Sequence, residues 1–290
     1  MNIHALLHEA QTSLATMLSP SEAKFETHIL LQHALGVNRA WLITHQNDAL
    51  QPNPHAVFEA LLNRRLKGEP IAYILGSREF YGLKLKVTPD TLIPRSDTEV
   101  LVDAVLAKIP HDQPCKILDL GTGSGAIALA IAKQCPQTLV TALDVSQTAL
   151  NIASENAQNL NIPNVHFLLS NWYVNLNHEK FDVIVSNPPY IEQDDTHLQQ
   201  GDLRFEPQSA LVSGESGLHD ILQIIKNAPQ YLNPCGWLML EHGYNQANSV
   251  ADFLIQSGFN EISHVLDLAG IERVTIGCYK QACYLATSLT

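Results

Sequence analysis

The sequence predicts an α/β protein: a layered domain built on a sheet of buried parallel strands, preceded by a small all-helical domain and a connecting β-hairpin. Three observations carry this expectation. Short apolar runs at 116–120, 139–143, 165–169 and 181–186 have the texture of strands covered on both faces. Helical stretches near 124–134 and 146–159 separate the first three of them, the alternation typical of a parallel sheet. Before residue 70, by contrast, apolar residues recur at helical spacing.

The elements follow in order. Ser19-Pro20-Ser21-Glu22 is the clearest helix start: Ser19 can cap, Pro20 loses no needed N–H, and Glu22 can close a capping box. Ile29, Leu30, Ala34 and Leu35 continue the helix and Gly36 stops it. Another helix is expected over 54–67, ended by Gly68-Glu69-Pro70. Leu83, Leu85 and Val87 alternate with Lys84 and Lys86, a half-exposed strand, and Thr88-Pro89-Asp90 is a turn, which places a hairpin near 79–93. Ser96-Asp97-Thr98-Glu99 reads as a second capping box opening a helix through Lys108. Further strands are expected near 236–241, 262–267 and 273–279, and helices near 217–231 and 246–257. The expected boundaries are a helical domain over 1–75, a hairpin linker over 76–95 and the layered domain over 96–290.

Composition bounds the function. Of 290 residues, 46% are hydrophobic, enough for a sizeable core. The net charge is −12, and all of it falls after residue 90, because residues 1–90 carry eight basic and eight acidic side chains. So acidic a surface is unsuited to coating nucleic acid, although Arg64, Arg65, Lys67 and Arg78 offer a small basic patch. The five cysteines, Cys115, Cys135, Cys235, Cys278 and Cys283, show no zinc-knuckle or redox-pair spacing and read as reduced packing residues, with no metal site. The start Met1-Asn2-Ile3-His4 lacks signal-peptide character, and the apolar stretch 126–132 is too short to span a bilayer. The expectation is a cytoplasmic protein without a membrane partner.

Two motifs carry chemistry. Ile117-Leu118-Asp119-Leu120-Gly121-Thr122-Gly123-Ser124-Gly125 runs from a strand through a glycine-rich turn into a helix. Glycines there let a ligand approach the backbone, and the helix start offers free N–H groups. The spacing is neither the dinucleotide fingerprint nor a P-loop. Asp144 ends the next strand, where a carboxylate can accept from both ribose hydroxyls. These features indicate a nucleoside ligand and leave S-adenosyl-L-methionine and a nicotinamide dinucleotide both open.

Asn187-Pro188-Pro189-Tyr190 separates them. It follows the strand at 181–186, at the sheet edge where α/β proteins bind ligands. The prolines have no N–H, so the Asn187 side-chain oxygen and the Pro188 carbonyl can accept from one planar NH₂ group without competing donors. Tyr190 can pack on the flat group that bears it. Such a nitrogen is a weak nucleophile whose lone pair is freed for attack when both hydrogens are held. Its proton can leave after methyl transfer, so no strong base is required. His197, the nearest histidine, reads as a loop residue.

At this point the chain resembles the glutamine N5-methyltransferases that modify peptide chain release factors, within the class I S-adenosyl-L-methionine-dependent methyltransferases. Asn-Pro-Pro-Tyr alone is shared with adenine-N6 and guanine-N2 methyltransferases. Narrower matches are Phe80-Tyr81-Gly82-Leu83, Leu92-Ile93-Pro94-Arg95-Ser96-Asp97-Thr98-Glu99, Arg204-Phe205-Glu206-Pro207 and Arg273-Val274-Thr275, so the resemblance spans nearly the whole chain. It implies a Rossmann-like methyltransferase domain. Gly121, Thr122, Gly123, Ser124 and Gly125 would hold the methionine end of the cofactor, Asp144 its ribose, and Asn171 and Trp172 its adenine, with Asn187 reaching the cofactor side as well. Asn187, Pro188, Pro189 and Tyr190 would bind the glutamine amide, with Asn187, Pro188 and Tyr190 catalytic. Asn171 departs from the acidic residue usual before the tryptophan, and Cys278 stands where arginine is common. The implied substrate is the Gly-Gly-Gln glutamine of a class 1 release factor. Rivals are a ribosomal-protein glutamine methyltransferase, a nucleic-acid amine methyltransferase and a nucleoside-binding regulator. The stretches 93–99 and 204–207 favour the release factor, and the acidic charge counts against stable nucleic-acid binding.

Overall fold

A computed structural model describes residues 2–110 and 113–280. Cys283 lies outside the described residues. The chain forms two compact units. One comprises Met1–Ser77 with His197–Phe205, the other Arg78–Thr196 with Glu206–Thr290.

The first unit is helical: α1 (Ile3–Leu14), α2 (Pro20–Leu35), α3 (Arg39–Thr44), α4 (Pro52–Leu66) and α5 (Ile71–Leu75). The Ser19 capping box forms as its sequence requires, and Gly36 closes α2 in the left-handed conformation. The helices bury Ile3, Leu6, Leu7, Leu30, Leu31, Leu42 and Phe58 in one cluster. Arg65 is buried, held by Glu26 at 2.6 Å and Asp202 at 3.5 Å. Arg64 is clamped by Glu69. Two of the four cations in the expected basic patch are therefore neutralised by carboxylates.

The second unit opens with a hairpin, β1 (Ser77–Phe80) and β2 (Leu83–Lys86). It is shorter than expected, its turn is Tyr81-Gly82, and Thr88-Pro89-Asp90 forms a separate turn beyond β2, closed by Thr91 N–H to the Thr88 carbonyl at 3.0 Å. Tyr81 and Gly82 both have positive φ, 52° and 76°, the backbone that matches strand twist in a two-residue hairpin. Tyr81 gives no sequence signal for that geometry and is held there from outside. Its N–H donates to Glu99 Oε1 at 2.9 Å and its hydroxyl to Asp103 Oδ1 at 2.6 Å. The second capping box consequently does not form. Residues 96–98 make a 3₁₀ turn without a side-chain cap, and α6 (Glu99–Leu106) starts after it.

Then follow β3 (Lys116–Leu120), α7 (Ala126–Gln134), β4 (Leu139–Asp144), α8 (Gln147–Asn159), β5 (Val165–Leu169), β6 (Phe181–Ser186), α9 (His219–Asn227), β7 (Leu232–Glu241), α10 (Ala247–Gln256), β8 (Phe259–Leu266) and β9 (Glu272–Tyr279). α9 stops short of residue 231 because Pro229 cannot continue its hydrogen bonding; a 3₁₀ turn takes over. The seven-stranded sheet has the order β5-β4-β3-β6-β7-β9-β8, parallel except for β9, which is antiparallel to both β7 and β8. Strand residues alternate between two cores. Ile117, Val183, Val185 and Met239 join one with α6, α7 and the hairpin residues Phe80, Leu83 and Leu85. Leu118, Leu120, Ile184, Leu238 and Leu240 join the other with α9 and α10. Each fully buried aliphatic side chain contributes about 1.5–3 kcal/mol, which is why these strands read as continuous apolar runs. The chain winds outward from β3 through β4 to β5, then returns to β6 on the other side of β3. That reversal opens a crevice at the carboxyl ends of β3 and β6.

Candidate active site

The crevice holds a cavity of about 390 Å³ in the second unit. One end is the glycine turn. Gly121, Gly123 and Gly125 all have positive φ, 75°, 56° and 85°, backbone that L side chains rarely adopt. The N–H groups of Gly121 and Thr122 donate to the Leu143 carbonyl at 2.9 and 2.8 Å, tying the turn to the end of β4. Asp144 follows on β4. Its Oδ2 accepts from Gly123 N and its Oδ1 from Ser146 N, each at 2.9 Å. Burial raises the Asp144 pKa, and those backbone donors lower it.

Gly121, Gly123 and Asp144 line the cavity; Thr122, Ser124 and Gly125 are not among its walls. Thr122 and Ser124 are buried beneath the turn instead. The Thr122 hydroxyl donates to Asp119 Oδ2 at 2.6 Å, and the Ser124 carbonyl accepts from Asn156 Nδ2 at 2.9 Å. Asp119 is fully buried, and desolvation pushes its pKa up to about 7. Asn156 also exchanges two hydrogen bonds with the Lys86 backbone, joining α8, the hairpin and the glycine turn. Neither Asp119 nor Asn156 was singled out for a role in the sequence.

Asn171 and Trp172 both line the cavity, Asn171 exposed and Trp172 half-buried. Trp172 has a positive φ of 47°, and its ring lies beside Gly121. Its indole Nε1 donates to Asp220 Oδ1 at 3.2 Å, and Ser213 donates to Asp220 Oδ2 at 2.7 Å. Asp220, at the start of α9, is a wall residue that sequence reasoning missed, since nothing local marks it. Asp90, Asp144 and Asp220 put three carboxylates on the wall, and among the described residues no Lys or Arg lines it.

The other end is the Asn187 loop. Ser186 Oγ donates to the Leu120 carbonyl at 2.6 Å, fixing the end of β6 beside the end of β3. Asn187 and Pro189 line the cavity, whereas Pro188 and Tyr190 do not. Asn187 Nδ2 donates to the buried Thr98 hydroxyl at 3.2 Å. Tyr190 packs against the core and donates to Glu241 Oε1 at 3.4 Å, and burial pushes its phenol pKa up. Its carbonyl accepts from Gln246 Nε2 at 3.1 Å. The structure thus gathers Gly121, Gly123, Asp144, Asn171, Trp172 and Asn187 around one cavity and places Thr122, Ser124, Gly125, Pro188 and Tyr190 behind its walls.

The motifs at 93–99 and 204–207 also meet: Arg95 pairs with buried Glu206 at 2.5 Å, and Ile93 N donates to Glu206 Oε2 at 3.4 Å. Pro207 lines the cavity. Arg273 pairs with Asp267 at 3.1 Å, and Cys278 is buried with its thiol facing the Cys235 carbonyl at 3.6 Å.

Comparison with known proteins gives two family matches: the PrmC N-terminal domain over residues 5–76 and the methyltransferase small domain over residues 96–209. The chain is 46% identical to the release factor glutamine methyltransferase of Escherichia coli (strain K12), across 95% of this chain and 98% of that one. It is 47% identical to the protein of that name from Vibrio cholerae, across 97% and 98%. Among solved structures, a methyltransferase from Pyrococcus furiosus superposes with a TM-score of 0.54 at 19% identity, covering 76% of this chain and 98% of that one, a likeness of fold alone.

Proposed function

The chain belongs to the release factor glutamine methyltransferase family, and from that premise we propose that it transfers a methyl group from S-adenosyl-L-methionine to the side-chain amide nitrogen of the glutamine in the Gly-Gly-Gln motif of class 1 peptide chain release factors. The observation that carries this reading is the placement of Asn187 on the same cavity as Gly121, Gly123, Asp144 and Trp172.

The residues present fit the cofactor. A wall with three carboxylates and, among the described residues, no Lys or Arg suits a cationic sulfonium and disfavours the pyrophosphate of a nicotinamide dinucleotide. Asp144 would take the ribose hydroxyls, the glycine turn the methionine end, and Trp172 with Asn171 the adenine. When bound, S-adenosyl-L-methionine supplies an electrophilic methyl group. The protein's part is then positioning and electrostatics. Asn187 Oδ1 accepts one hydrogen of the substrate amide, which directs the nitrogen lone pair and stabilises positive charge forming on it. Tyr190, buried and bonded to Glu241, supports the loop from behind.

The helical unit is read as a docking module for the intact release factor, which sets the reaction in the cytoplasm where such factors work. No described helix is long and apolar enough to cross a membrane. Docking predicts a lower KM for the folded release factor than for a short Gly-Gly-Gln peptide at similar kcat. The deciding experiment uses labelled cofactor with purified release factors and maps the product by mass spectrometry. Label on the Gly-Gly-Gln glutamine is expected; label only on a ribosomal protein or nucleic acid would overturn the assignment.

A further inference from the structure

Asn187 can hold a substrate amide only if its oxygen, not its NH₂, faces the cavity. An amide side chain can present either end, so something must choose. The choice is made two residues away from the cavity. Asn187 Nδ2 meets the Thr98 hydroxyl at 3.2 Å. Thr98 is buried, and its hydroxyl lowers the pKa of the Glu241 carboxyl at the end of β7, as a hydroxyl turned toward a carboxylate does. Glu241 is itself 1% exposed, and its Oε2 has no hydrogen-bond partner.

The direction of this chain follows from donor arithmetic. An ionised carboxylate only accepts. A Thr98 hydroxyl that turns its single proton toward Glu241 presents a lone pair to Asn187, which is the role Thr98 has in accepting from Asn187 Nδ2. A lone pair can be met only by the Asn187 NH₂. The Asn187 oxygen is left for the cavity. We propose that Thr98 and Glu241 form a positioning pair that fixes the amide of Asn187 with Oδ1 toward the substrate nitrogen. This inference rests on the proposed glutamine methylation and adds residues that never touch substrate.

The same arithmetic reverses when Glu241 is protonated. Its carboxylic O–H can then donate to Thr98, the Thr98 proton is free to turn toward Asn187, and the amide is drawn round to offer its NH₂ to the cavity, donor facing donor. The groups facing Glu241 are Asp97 and Thr98 before α6, Tyr190 after β6 and Arg273 on β9; desolvation is the main cause raising its pKa to about 7, Thr98, Arg273 and Tyr190 oppose it, and Asp97 adds to it. The neighbouring His242 is lowered by burial and so is neutral in that range.

The test is single-turnover methylation of a release factor at saturating cofactor, with cofactor affinity and melting temperature measured alongside. Thr98→Val should slow transfer by about 10- to 100-fold, the scale of a mispositioned reactive group, without changing cofactor affinity. Thr98→Ser keeps the hydroxyl and should restore the rate. The wild-type rate should rise with pH through about 7 as Glu241 ionises, and Glu241→Gln should remove that rise. An undiminished Thr98→Val rate, a Thr98→Ser variant as slow as Thr98→Val, or an unchanged pH rise in Glu241→Gln would each overturn the positioning pair. No transfer by the wild-type chain would overturn the methyltransferase reading instead, so the two failures are distinct. Should Thr98→Val not fold, Thr98→Ser and the Glu241→Gln pH profile decide.

Discussion

At one end of the cavity the recognition groups belong to the main chain or sit directly on it. Three left-handed glycines shape the turn, and Asp144 is anchored by the N–H groups of Gly123 and Ser146. At the other end stands a single side chain, Asn187, the proposed amide-holding group, whose Nδ2 donates to Thr98, 89 residues earlier in the chain. The difference teaches that binding and turnover are separable here. On the proposed reading the glycine end sets cofactor affinity, whereas the asparagine end is a set of directed hydrogen bonds whose worth appears only as the nitrogen is attacked.

The comparison is sharpened most by Asn187→Ala. Turnover should fall by about 10²–10³, or about 3–4 kcal/mol, the loss typical of one preorganised partner, with cofactor affinity nearly unchanged by calorimetry. An equal loss of both would break the division. Asp144→Ala should do the reverse: about 1.5–3 kcal/mol weaker cofactor binding, the scale of charged hydrogen bonds, with kcat retained at saturating cofactor. Gly125→Ala comes next. Its φ of 85° is hostile to a side chain, and the added Cβ would stand 3.0 Å from Leu129 Cδ1 and 3.2 Å from Ala153 Cβ. Stability should drop by about 1–2 kcal/mol in denaturant melts, showing that a glycine behind the wall serves the turn's shape. The smallest effect belongs to Trp172→Phe, which keeps a ring at the wall but loses the bond to Asp220. Cofactor affinity should fall by about 1 kcal/mol, and an unchanged dissociation constant would remove the Asp220 anchor from the account.

Legibility in the sequence followed the range of the forces involved. The Ser19 cap with Glu22, the Gly36 stop and the doubly buried strands β3, β4 and β6 depend on neighbours within a few residues or on burial of both faces, and their patterns were plain. The hairpin's turn and the second capping box differ from expectation for one shared reason. Glu99 can cap its own helix or hold Tyr81, and the fold uses it for Tyr81, a contact 18 residues away. The cavity walls from Asp144, Asn171, Trp172 and Asn187 came from motif position. Thr122, Ser124 and Tyr190 belong to the same motifs, yet the Thr122 and Tyr190 side chains turn inward to Asp119 and Glu241, and Ser124 is buried with its carbonyl held by Asn156.

What the sequence determined by itself was the strand-and-helix alternation, the glycine turn after β3, and the Asn-Pro-Pro-Tyr loop after β6. Each is local chemistry: a left-handed backbone that only glycine adopts freely, prolines that remove donors, and apolar runs that must be buried. Only the tertiary structure decided which side of β3 receives β6, and so that the two motifs face one cavity. It also decided that Asp220 stands at the Trp172 indole and that Thr98 and Glu241 stand behind Asn187. These are hydrogen bonds between residues far apart in the chain, and a buried polar group takes whichever partner the packing brings within reach.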